Sequence, residues 1–151
     1  MHPALAPSSQ GDVFYWNVDG PVGLQGMNKR DDVMFVQWCF YKMGKWDRMT
    51  PEVRAICSKT LVNGECSGRE DDPLVGIIKA FQRSQKGLRV DGRVTPPTTD
   101  TQYSFHGSSH LYLIFYLNAA LRGLHPAQYP RIDLMPEFIW KVRDKATKPF
   151  V

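Results

Sequence analysis

Hydrophobic positions recur along this chain with two periods, and the change between them marks its elements. From Val13 to Val18 (VFYWNV), β-branched and aromatic residues follow one another, which predicts a short extended segment. A helical spacing takes over after Asn28. Val33, Val36, Phe40 and Met43 form one stripe, widened by Phe35, Trp38 and Cys39. Asn28 is placed to cap this helix, which is expected from about Lys29 to Met43. Asp31 and Asp32 fall in its first turn, where carboxylates suit the macrodipole, and Gly44 ends it.

The next helix signal is Thr50-Pro51-Glu52, a cap followed by a first-turn proline, opening a short helix through about Lys59. Asp72-Pro73 repeats that signal ahead of Leu74, Ile77, Ile78, Phe81 and Gln85, which share one face. Gly87 stands where a left-handed C′ residue is wanted, and Leu88 follows as the apolar residue that folds back over the last turn. Asp91-Gly92 then sets a tight reversal. A polar passage runs from Thr95 to Ser109. After it, Ser108 or Ser109 is placed to cap a helix carrying Ile114, Leu117, Ala120 and Leu121, ended by Gly123 and Pro126. The start of that segment, Leu111 to Tyr116, suits a strand equally well. A last helix is expected from Pro136, with Phe138, Ile139 and Val142 inward. The fold class expected is mainly α: several short helices around one core.

Composition changes this picture little. The 151 residues suffice for one domain with a core, and 42% hydrophobic with 23% charged residues is ordinary for a globular protein. No apolar run of about 18 residues exists, so membrane insertion is not expected. The opening MHPALAPSSQGD lacks a basic start and an apolar stretch; it reads as a flexible leader rather than a secretory signal. Net charge is +4 and the basic residues are scattered, which argues against nucleic acid as the partner.

Candidate chemistry is sparse. Cys57 and Cys66 bracket SKTLVNGE, with Asn63-Gly64 as its turn, and are the pair expected to form a short-loop disulfide; Cys39 reads as a buried thiol. His106 and His110 have i, i+4 spacing, but HGSSH reads as loop, and neither a metal site nor a cofactor is expected. A cysteine nucleophile, a Gly-x-Ser-x-Gly elbow and a phosphate-binding glycine loop are all missing, and the paired carboxylates Asp31/Asp32 and Glu70/Asp71/Asp72 lie at helix starts, where capping accounts for them. The chain is therefore expected to be no enzyme.

The two long helices share a phrase, since each stripe closes on an apolar residue followed by glutamine: Val36-Gln37 and Phe81-Gln82. IIKAFQRSQKGLRVDGRVTPPT, Ile77 to Thr98, resembles the second half of the peptidoglycan-binding domain found beside bacterial cell-wall hydrolases. There, a Phe-Gln helix runs into Gly-Leu-x-Val-Asp-Gly and a Thr-Pro-x-Thr turn. The matching positions are Phe81, Gln82, Gly87, Leu88, Val90, Asp91, Gly92, Val94, Thr95, Pro96 and Thr98. DDVMFVQWCFYKMG, Asp31 to Gly44, is similar to the family's first helix, and VGLQGMNKRDDVMFVQ resembles stand-alone versions near contact-dependent secretion systems.

The likeness covers roughly Asn28 to Leu121 and departs from the family in the longer stretch holding Cys57 and Cys66 and in the insertion from Thr98 to Ser109. It implies a small orthogonal helical bundle over residues 28–124, after a leader and extended segment at 1–27 and before a C-terminal extension of further helices at 125–151. Gln37 and Gln82 are expected to bond loop backbone. The ligand-contacting set is Tyr41, Trp46, Gln82, Arg83, Arg89, Arg93 and Tyr103, since aromatic faces pack on sugar rings and arginine forks onto carboxylates. The resemblance implies non-catalytic binding of peptidoglycan through a groove, in the periplasm or envelope, reached without a signal peptide. The alternative is a protein–protein adaptor or immunity protein of a secretion system, cytoplasmic in that case.

Overall fold

A computed structural model describes residues 1–103 and 112–135. Among them the order is β1 (His2–Ala6), β2 (Val13–Asn17), β3 (Val22–Gly23), α1 (Arg30–Met43), α2 (Pro51–Cys57), α3 (Pro73–Ser84), β4 (Arg93–Val94) and α4 (Leu113–Leu124), with a 3-10 turn at Ile132–Leu134. The strands form two antiparallel pairs, β1 with β2 and β3 with β4. The fold is therefore mixed α/β, with 38% helix and 11% strand among the described residues, and not the mainly α bundle expected.

The correction begins at the opening residues, where His2–Ala6 is a strand. β1 pairs with β2 along its length, from His2 opposite Asn17 to Ala6 opposite Val13. HPALA has no β-branched residue and one proline, so its ladder comes from the partner strand and not from propensity. Pro3 is tolerated for a geometric reason. It faces Trp16, whose N–H and C=O both turn away from β1 to the Asn118 side chain of α4, at 2.7 and 2.8 Å. Pro3 thus occupies a non-hydrogen-bonded position, where a missing N–H breaks no rung.

α1 is the central element: ten of its fourteen residues are buried, including every residue of the expected stripe. Val36 and Phe81 face one common interior, where the Phe40 and Phe81 rings meet edge-on at 5.6 Å. Asp32 does more than suit the macrodipole. It is fully buried and accepts the chain's first ammonium at 2.6 Å and the N–H groups of Asp19 and Gly20 at 3.0 and 3.1 Å, so its charge is paired on every side. Asn28 is not the cap. It sits at φ 51°, bonding both the N–H and the C=O of Gly23, while Lys29 holds the cap position without a side-chain bond.

Elsewhere the turn chemistry acts as expected. Thr50 caps α2 and Asp72 caps α3, each followed by proline. Two details differ there: α3 stops at Ser84 with Gln85, expected on its inner face, as the extended C-cap. Gly87 therefore takes its φ of 92° one residue beyond the C′ position expected for it. Gly23 is obligatory: it has φ 112°, and a Cβ there would stand 2.1 Å from the Gly92 carbonyl oxygen. Residues 113–124 are helix, not strand. The expected caps Ser108 and Ser109, the pair His106 and His110, and the last helix from Pro136 with Phe138, Ile139 and Val142 lie outside the described residues.

Candidate functional site

Two glutamines organise the molecule in the same way. Gln37 of α1 accepts the N–H groups of Asn63 and Gly64 on Oε1, at 3.0 and 2.8 Å. Its Nε2 donates to the Asn63 side-chain oxygen and the Glu65 carbonyl, at 3.0 and 3.2 Å. Gln82 of α3 accepts the N–H groups of Asp91 and Gly92, at 3.2 and 2.9 Å, and donates to the Asp91 carboxylate and the Arg93 carbonyl, at 2.9 and 3.2 Å. Each Asx side chain also closes its own turn, Asn63 on the Glu65 N–H and Asp91 on the Arg93 N–H. Both amides are almost fully buried and fully used, which satisfies the rule that buried polar groups are paired. The expectation that they bond loop backbone holds for both.

Asn63 is the residue sequence reasoning undervalued. Its equivalence to Asp91 is hidden because it follows its glutamine by 26 residues, with α2 in between, whereas Asp91 follows Gln82 by nine. An Asx-Gly pair downstream of each apolar-glutamine pair was the signal available.

Beside the first of these clasps lies a groove of about 230 Å³. Lys59, Thr60, Leu61, Asn63 and Glu65 come from the loop after α2, Asp72, Pro73, Leu74 and Ile77 from the start of α3, and Gln37 from α1. Leu61 is 73% exposed at this groove. Burial pushes the Asp72 carboxyl up, but hydrogen bonds from Ser67, Leu74 and the Cys66 thiol outweigh it and hold the group below its ordinary range.

None of the seven expected ligand residues lines this groove. Gln82 and Arg93 meet at the second clasp, where Gln82 is consumed by the turn. Arg83 and Arg89 are exposed nearby in sequence, after α3 begins to end. Tyr41 is at the surface with the Lys45 ammonium over its ring, and that ammonium's hydrogen bond lowers the phenol's pKa. Trp46 and Tyr103 are packing residues. Trp46 covers Gly123 of α4 so closely that a Cβ there would meet the indole at 2.5 Å, and Tyr103 packs against Phe115 with ring centroids 4.7 Å apart.

Cys39, Cys57 and Cys66 stand as separate thiols in this structure, with Cys57 and Cys66 unjoined. Cys57 is buried at the end of α2, while the Cys66 thiol is engaged with Asp72 and with the backbone at Gly68 and Gly23. Burial pushes Cys57 up to about 12 and, helped by the Asp72 charge, Cys66 up to about 11; Cys39 is also raised by burial. A nucleophilic thiol needs the opposite shift. Among the described residues, no three His, Cys, Asp or Glu side chains gather as a metal site, and no helix is long and apolar enough to cross a membrane. Comparison with protein families, with curated proteins and with solved structures finds no match to this chain.

Proposed function

We propose that this chain is a non-catalytic binding protein of the bacterial envelope that recognises peptidoglycan through the groove beside Asn63-Gly64. The observation that carries the reading is the repeated clasp. The Phe-Gln and Val-Asp-Gly positions on which the family resemblance rests are joined by Gln82 into one hydrogen-bonded unit, and Gln37 builds the same unit a second time. The groove stands directly on the Gln37 unit, so a rigid turn presents its wall. The raised thiols argue against a cysteine nucleophile.

The test is co-sedimentation of the full chain with purified sacculi. Wild-type protein is expected to be retained, and Leu61→Glu, at an exposed position of the groove, is expected to reduce retention about tenfold while leaving the fold unchanged. Failure of the wild type to sediment at low salt would overturn the reading. The exposure of Leu61 also favours a second reading, in which a secretion-system protein docks here; a dedicated protein partner co-purifying with wild type but not with Leu61→Glu would establish it instead.

A further inference from the structure

Thr60 lies on the groove wall with 6% of its surface exposed, and its hydroxyl is buried without a hydrogen-bond partner. A buried hydroxyl left unpaired costs stability, so it marks a position that a ligand can complete. Gln37 cannot offer more, because both ends of its amide are spent on the turn. The Asp72 carboxylate is likewise occupied by Ser67 and Leu74. Two charged side chains remain: Lys59 and Glu65 both line the groove, both are exposed, and among the described residues neither forms an ion pair. Leu74 and Ile77 supply an apolar surface.

One unpaired cation, one unpaired anion, one orphan hydroxyl and a small apolar surface are the complement of a zwitterionic amino acid. The volume agrees, since about 230 Å³ lies below the roughly 300–1,000 Å³ of pockets for larger ligands and suits a single residue. We infer that the groove takes the free α-amino-carboxylate centre of a stem peptide that has not been cross-linked. Lys59 meets its carboxylate, Glu65 meets its ammonium, Thr60 completes its hydrogen bonding, and Leu74 with Ile77 packs its methylene groups. This deepens, and rests on, the peptidoglycan reading. Cross-linking through that amine converts it to an amide and removes the charge Glu65 would bind, so the groove would favour un-cross-linked wall.

The experiment titrates the ¹⁵N-labelled full chain with two synthetic tripeptides, L-Ala-γ-D-Glu-meso-diaminopimelate and the same peptide acetylated on the distal amine. The free peptide is expected to shift the amides of Thr60, Leu61 and Asn63, with the acetylated one at least about tenfold weaker, the usual scale for losing a hydrogen bond between charged groups. Glu65→Gln is expected to abolish that discrimination, and Thr60→Val to weaken both peptides alike. Equal affinity for the two peptides, or shifts confined to another face, would overturn the inference. Retention on sacculi without groove shifts would overturn it and leave the peptidoglycan reading standing. Groove shifts with full discrimination, but no retention on sacculi, would support the ligand class and remove the polymer reading.

Discussion

Gln82→Leu is expected to lower the unfolding free energy by about 3 kcal/mol in urea denaturation, at an unchanged m-value. Leucine keeps most of the volume, so packing is not the issue. The loss lies in the turn, where the N–H groups of Asp91 and Gly92 and the carbonyl of Arg93 lose their partner together. Gly92 is buried and cannot recruit water without opening the turn, while half-buried Asp91 recovers part of its loss. Each buried group left unpaired costs about 1–3 kcal/mol, which brackets the expected total. The turn cannot drift to compensate, because the Gly92 carbonyl also accepts the Leu24 N–H at 2.9 Å and abuts Gly23. Gln82→Glu is expected to fall short of rescue: it keeps the acceptor for both N–H groups but sets a carboxylate against that of Asp91.

Asn118→Leu is expected to cost a similar amount, about 3–4 kcal/mol in the same measurement. Asn118 is fully buried in α4 and ties that helix to β2 across 102 residues of sequence. Its oxygen accepts the Trp16 N–H and the Tyr129 hydroxyl, and its nitrogen donates to the carbonyls of Trp16 and Ile114. Leucine would leave the Trp16 N–H and C=O unpaired inside the core, beside a Trp16 side chain that is fully buried and held by Pro130. The loss of the β1–β2 hairpin before the helices, seen as early exchange of its amides, would be the accompanying sign.

How much of this was legible in the sequence follows from which interactions are local. α1, α2 and α3 were readable because stripe, cap and first-turn proline all lie within a few residues of one another, as at Thr50-Pro51 and Asp72-Pro73. β1 was not, since HPALA becomes a strand only when β2 offers its edge, and Pro3 fits only because of the register. Asn28 had a capping residue's chemistry, yet its amide found better partners at Gly23. The candidate site was partly legible. Both glutamines and both glycine turns stood out, but pairing Gln37 with Asn63 required seeing past α2. The ligand residues expected by type lie apart from the groove, and an aromatic ring suits a sugar face and a core equally: Trp46 packs on Gly123 and Tyr103 on Phe115. Thr60, which no motif marks, was visible only once its hydroxyl had neighbours to lack.

The equivalence of the two clasps is the claim from which the groove, its rigidity and the functional reading all follow, and amide hydrogen exchange at Gly64 and Gly92 tests it most directly. Both amides are expected to exchange at least roughly a hundredfold more slowly than in an open chain, an opening cost of about 3 kcal/mol. Gln82→Leu is expected to release Gly92 while Gly64 stays protected. Exchange of either glycine at the open-chain rate in the wild-type protein would contradict the account.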